Sequence, residues 1–295
     1  MNARIITATA WAAALAFPLA AAALEKTETF DWSSSPAASA LEVKSFEGTV
    51  LITAGGDRVV VKAFKGVHAD EDAEATRALK AFKVVCEEKD GRVTVGLKMP
   101  GIYMGPGVGI KYEITAPADL PVVVAGGMRN GAETHGMNDV VMEDTGDAVV
   151  VGANKRVTLA GIFGKAFIEK SPASIVVDTN SSEPVVIDNR GLPTPLITVT
   201  TSSADIEAAF DTAAAKGVYT FRSSSGAIRL QVGGDAANAG VSLVTISGTL
   251  TSPFGETFKG GNLSGVAAAN ANIITAQTSS GDVSFEVAAK AAATE

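Results

Sequence analysis

The chain has 295 residues, a net charge of −8, and is 46% hydrophobic but only 6% aromatic. That length is ample for a substantial core, and the acidic balance argues against non-specific nucleic-acid binding, which needs a basic stripe. Few rings and 30 glycines suit thin, regularly stacked β-structure better than a bulky core.

Residues 1–23 read as a cleavable signal peptide. Arg4 precedes an apolar run from Ile5 to Ala23, and Ala21-Ala22-Ala23 fits an A-x-A cleavage site. The run is alanine-rich, ends in small residues and has no basic flank behind it, unlike a membrane anchor. No cysteine lies near the site, so a lipid-modified signal is not expected. No later stretch is long and apolar enough to span a membrane. The expectation is a bacterial protein exported to the periplasm or secreted. Residues 24–40 read as an N-terminal linker.

ALEVKSFEGTVLITA, 40–54, alternates apolar and polar residues on both sides of Gly48. It predicts a first coil of two short strands, with Leu41, Val43, Val50 and Ile52 inward. VVVKA, 59–63, is expected to continue it. DEDAEATRALKAF, 70–82, has acidic residues early and Ala75, Ala78, Leu79 and Phe82 on one face, so it predicts a short helix. KVVCEEKDGRVTVGLKM predicts a hairpin turning at Lys89-Asp90-Gly91. Residues 70–100 are thus an excursion that would cover the open N-terminal end of a stack. GIYMGPGVGIKY, 101–112, is glycine-rich but lacks the Lys-Ser/Thr of a phosphate-binding loop and reads as a connection. IKYEITAPADLPVVVA, 110–125, returns to strands.

From residue 139 a repeat takes over. Its turn positions are Gly146, Gly164, Ser182, Ala204, Gly226, Gly248 and Gly281. Two and four residues after each turn, and five and seven before it, nearly every residue is apolar; Asp139 and Ser252 are the clear exceptions. The repeat therefore predicts two strands per unit, joined at a corner where glycine supplies unusual φ angles and the next Asp bonds nearby N–H groups. A unit of this length cannot bury its own edge, whereas stacked units share a core. About seven or eight coils, some 4.8 Å apart, would form a rod of roughly 35–40 Å. A sandwich of hairpins has no reason to keep one register through successive units, so a parallel β-helix or β-solenoid is the expected fold. The longer step before Gly281 reads as an inserted loop or an irregular coil turning at Ser264-Gly265. Residues 41–287 form one solenoid domain and 288–295 a tail.

FEGTVLITAGGDRVVVKA, YEITAPADLPVVV and the repeated TSSGDV-type turns resemble a family of exported bacterial β-strand-repeat proteins described as putative adhesins, over about residues 40–287. The resemblance implies a right-handed parallel β-helix in or outside the cell envelope, with a binding or structural role. It supplies no catalytic residues. Ser182 and Ala204 depart from its turn glycine.

Stacked coils also carry polysaccharide lyases and hydrolases, whose sites need clustered acids. The position after each turn holds Asp147, Lys165, Glu183, Asp205, Ala227, Thr249 and Asp282. Glu183 and Asp205 are expected to be neighbours, with Asp147 further off and Arg222 or Arg229 as a basic partner. The simpler expectation is solvent-facing corner residues. The Ser/Thr columns, Thr201, Ser223, Thr245 and Thr278 with Ser203, Ser225, Ser247 and Ser280, predict hydrogen bonding up the stack. His68 and His135 fall in segments that read as polar loops. Cys86 reads as a small apolar side chain. The G-G-x-G-x-D series of calcium-binding β-rolls is absent. No catalytic, cofactor or metal residue is assigned. The reading is a non-enzymatic exported envelope protein, an adhesin-like binding or structural scaffold, whose partner the sequence does not identify, a glycan, a surface or a protein being the candidates, with a carbohydrate-active β-helix enzyme as the alternative.

Overall fold

A computed structural model describes residues 24–44, 48–101, 103–126, 130–212, 216–233, 239–253, 258–264 and 272–288. The expected signal peptide, residues 289–295 of the tail and Gly265 of the expected Ser264-Gly265 turn lie outside them. The chain opens with strands β1 (Leu24–Ser33), β2 (Ala40–Lys44), β3 (Gly48–Ala54) and β4 (Val60–Ala69). Helix α1 (Asp72–Ala81) follows, then β5 (Lys83–Lys89), β6 (Arg92–Lys98), β7 (Val108–Ala116), β8 (Val122–Ala125) and β9 (Ala132–His135). The main array holds β10 (Asp139–Glu143), β11 (Ala148–Val151), β12 (Arg156–Ile162), β13 (Ala166–Glu169), β14 (Ser174–Thr179), β15 (Val185–Thr194), β16 (Leu196–Thr201) and β17 (Ile206–Thr212). It ends with β18 (Val218–Ser223), β19 (Ile228–Gly233), β20 (Gly240–Thr251), β21 (Phe258–Ser264), β22 (Ile273–Thr278) and β23 (Val283–Val287).

The fold is the expected β-solenoid. Each rung is a pair of strands meeting at a corner, and rungs stack in parallel register. Along one sheet the hydrogen-bonded order is β6, β2, β8, β10, β12, β14, β16, β18, β22, β20. Along the other it is β7, β3, β9, β11, β13, β15, β17, β19, β23, then the far half of β20. Alternate residues of both sheets enter one apolar core, in which Ile197, Val199, Tyr219, Phe221, Ile228 and Ile274 have no exposed surface. Phe210 stacks on Tyr219 with ring centroids 4.7 Å apart and packs against Phe221 at 5.9 Å.

The rungs do not stack in chain order at either end. The last rung of the sequence, β22–β23, lies between β18–β19 and β20. The first, β2–β3, lies between β6–β7 and β8–β9. The outermost rungs then pair with antiparallel strands. β21 runs beside β20, β5 beside β6, and β4 beside β7 with β1 beyond it. The extra sequence before Gly281 is therefore a hairpin arm that covers one end. VVVKA does not continue the first coil but turns back as β4. Residues 24–33, expected as linker, form β1, because β4 offers a free edge and LEKTETFDWS alternates enough to fill it. Its charged side chains suit an edge that must not recruit other chains.

Helix α1 buries Ala75, Ala78 and Leu79 as expected. Lys65 of β4 reaches its C-terminal end, where Nζ donates to the carbonyls of Leu79 (2.9 Å) and Phe82 (3.2 Å) and pairs with Glu28 (2.8 Å). A buried ammonium is thereby neutralised while it satisfies carbonyls that the helix leaves open. The expected hairpin is present: Asp90 (φ 52°) and Gly91 (φ 75°) are the two left-handed residues of a type I′ turn.

Two columns shift by one residue. In the first array unit Val140 and Met142, not Asp139 and Val141, point inward. At the Ser182 corner one extra residue makes Val185 and Ile187 inward in place of Pro184 and Val186. Counting from glycines misses such local insertions.

Two outcomes test this arrangement. Ile228→Asp places a charge in the sealed core and should lower unfolding stability by about 3–5 kcal/mol, measured by chemical denaturation. In hydrogen exchange, the β22 amides should be protected as strongly as those of β18, despite lying near the end of the chain, while β21 exchanges first. Rapid exchange of β22 would contradict its internal position.

Candidate functional site: the corner column and the outer sheet face

The corner glycines of the main array are not there for φ, although Gly48 at the first corner is, with φ 119°. None of Gly146, Gly164, Gly226, Gly248 and Gly281 is in the left-handed region. They are needed because neighbouring backbone occupies the space of a side chain. A Cβ on Gly226 would lie 1.9 Å from the Ala204 carbonyl oxygen, on Gly281 2.1 Å from that of Gly226, and on Gly248 2.0 Å from that of Gly281. This chain of contacts independently follows the order Gly226, Gly281, Gly248. Ala204 stands at the corner position with its side chain fully buried.

The hydroxyls three residues earlier complete the corner, as expected. Ser223 Oγ accepts from Gly226 N–H (2.8 Å) and donates to the Ala204 carbonyl (3.3 Å). Thr278 Oγ1 accepts from Gly281 N–H (3.2 Å) and donates to the Gly226 carbonyl (3.1 Å). Thr245 does the same for Gly248 N–H and the Gly281 carbonyl. One hydroxyl thus closes its own turn and ties it to the next rung. Ser203, Ser225 and Ser247 add weaker bonds to carbonyls of the adjoining rung.

The acids after the turn also bond between rungs, and not within their own turn as expected, because the free N–H groups in reach belong to the neighbouring corner. Asp147 Oδ1 accepts from Lys165 N–H (2.8 Å), Asp205 Oδ1 from Ala227 N–H (2.8 Å) and Asp282 Oδ1 from Thr249 N–H (2.7 Å). Asp205 is also held by Arg229 at 3.3 Å. Glu183 is exposed and level with Ala204, since Val185 pairs with Ile206; Pro184 is the residue beside Asp205. The two carboxylates therefore occupy different columns, and Arg222 stands on the other sheet between Thr200 and Gln277.

The remaining candidates are also placed. His68 lies on β4 opposite Glu25, and His135 ends β9 with its ring against Glu133. Both were expected in loops; the alternation around each is short but sufficient for a strand. Cys86 is half-buried, and burial pushes its thiol up to about 12, so it stays protonated. Among the described residues no three His, Cys, Asp or Glu side chains are grouped to hold a metal, and no helix is long and apolar enough to cross a membrane.

A feature missed in the sequence lies on the outer face of the second sheet. Val186, Glu207, Arg229 and Ser284 form one level row, and Asp188, Ala209, Gln231 and Glu286 the next. They line an open depression of about 380 Å³. Arg190 grips Asp188 in a two-point pair (2.8 and 2.5 Å) and holds its carboxyl below the usual range. Arg229 bridges Glu207 (3.1 Å) and Asp205. The signal was available in the outward positions, three and five residues after the turn at Ala204, Gly226 and Gly281, but the extra residue at the Ser182 corner moves them to four and six there.

The corner contact yields a test. Gly226→Ala should cost about 3 kcal/mol through overpacking against backbone. Gly109→Ala, where no atom lies within 4 Å of the new Cβ, should change stability by less than about 0.5 kcal/mol. Equal effects in thermal or chemical unfolding would contradict the close approach at the corner.

No curated protein matches the chain. It is similar to a crystal structure of a putative adhesin from Bacteroides fragilis NCTC 9343, at 10% identity over 89% of this chain and 97% of that one, with a TM-score of 0.37. A putative adhesin from Parabacteroides distasonis ATCC 8503 shows 13% identity over 88% and 97%, with a TM-score of 0.36. A putative cell adhesion protein from Clostridium sporogenes ATCC 15579 shows 11% identity over 89% and 100%, with a TM-score of 0.27. The Toastrack DUF4097 family matches residues 41–286, the stretch from the first inward leucine to the last rung, and this chain belongs to that family.

Proposed function

We propose that this protein is a non-enzymatic, exported scaffold of the bacterial cell envelope that binds as an adhesin does, presenting a β-solenoid surface to an envelope glycan or protein. The engagement of the corner acids carries this reading. Asp147, Asp205 and Asp282 each accept a backbone N–H from the adjoining rung, so the polar column that the repeat creates serves the stack. The outward rows are left to meet a partner. Export to the periplasm or the exterior rests on the signal-like segment 1–23. A lyase or hydrolase has less support, because Glu183 and Asp205 occupy different columns and Asp205 is already paired with Arg229.

Cell fractionation and N-terminal sequencing should recover a periplasmic or secreted form beginning near Leu24; an intact N-terminus in the cytoplasm would refute export. Incubation of the purified protein with envelope and plant polysaccharides should release no new reducing ends or unsaturated uronates. Turnover that disappears in Asp205→Asn would overturn the non-enzymatic reading.

A further inference from the structure

The depression on the second sheet exists because two small side chains, Ala209 and Ser284, sit diagonally among long planar ones. Asp188, Glu207, Arg229 and Gln231 rise around Ala209. Carboxylate, guanidinium and carboxamide groups each offer two hydrogen-bonding atoms in one plane. That is the complement of a pair of vicinal hydroxyls on a sugar ring. The volume, about 380 Å³, falls in the range of small-ligand sites, roughly 300–1,000 Å³. Its floor is apolar at Ala209, where the face of a ring can rest.

Charge selects among sugars. Arg190 neutralises Asp188, and Arg229 neutralises Glu207 while also touching Asp205. No guanidinium is left to balance an incoming anion, and the chain as a whole is at −8. A uronate or phosphate would be repelled. The polar groups also recur from rung to rung, about 4.8 Å apart, a step comparable to one pyranose unit of an extended chain. We infer that this depression binds a neutral, linear glycan lying along the stack. The inference rests on the binding reading proposed above and gives it a site and a ligand class.

The test uses the full chain and saturation-transfer NMR with cellohexaose, chitohexaose, maltohexaose and mannohexaose, and with oligogalacturonate as the acidic comparison. At least one neutral hexasaccharide should receive transfer and oligogalacturonate should not. Ala209→Tyr fills the floor from the solvent side and should weaken binding at least ten-fold with an unchanged melting curve. Glu207→Gln, which removes a charge and little volume, should weaken it less. The inference is overturned if no neutral oligosaccharide receives transfer, if oligogalacturonate is preferred, or if Ala209→Tyr binds as the parent does. Retention of parent and Ala209→Tyr alike on isolated envelopes would remove this groove while sparing the scaffold reading; failure of the parent to be retained would remove the scaffold reading itself.

Discussion

The stack depends on how closely backbones approach at the corner. Where Gly226, Gly281 and Gly248 lie over one another, each residue's missing side chain is replaced by the carbonyl of its neighbour. This contact lets the corners keep pace with the strands, whose spacing is set by their hydrogen bonds at about 4.8 Å. A bulkier corner would splay the rungs and break the ladders on both sheets. The hydroxyl three residues earlier and the acid one residue later follow from the same constraint. A tight turn leaves buried N–H and carbonyl groups that cannot all find partners within their own rung, and an unsatisfied buried polar group costs about 1–3 kcal/mol. Ser223, Thr245 and Thr278 bridge those groups between rungs.

The ends of the stack solve a second problem. An open parallel edge is a template for other chains. Here both chain-terminal rungs are threaded one position inward, and segments that double back supply the outer strands. β22–β23 is held on both sides, although it is the last rung made. The end strands are antiparallel, which lets short connections close them without another crossover. Lys65 completes the cover at one end by joining α1 to β4 and β1 through the Leu79 and Phe82 carbonyls and Glu28.

This division of labour bears on function. Polar residues at the corners hold rungs together, whereas polar residues on the outward rows pair with each other across the sheet face. Arg190 with Asp188 and Arg229 with Glu207 leave a patch that is rich in hydrogen-bonding atoms and, with Glu286 beside them, negative in net charge. In the binding role proposed above, such a surface would act through many weak polar contacts.

How far the sequence reached can be seen residue by residue. Inward alternation is a local property, so Leu41, Val43, Val50, Ile52, Ile206, Ile228 and Val283 could be recognised as core, and the helix at Ala75–Leu79 and the turn at Asp90-Gly91 were equally legible. The hydroxyl columns were legible too, because stacking repeats each chemical role at a fixed offset. The order of the rungs was not: parallel strands from any two units offer equivalent backbone partners, and only the closure of both ends favours placing β22–β23 before β20. The role of the glycines was hidden for a related reason, since the atom that excludes a Cβ belongs to another rung. The same holds for Glu183 and Asp205, which one extra residue at the Ser182 corner moves into different columns. The amino-acid sequence by itself determined the two-strand unit and its inward face, which act within a few residues, and the columns of hydroxyls and acids, which the repeat sets at a fixed offset. Only the tertiary structure decided the stacking order, the covered ends and the depression beside Ala209, because each arises between residues that are neighbours in space and strangers in sequence.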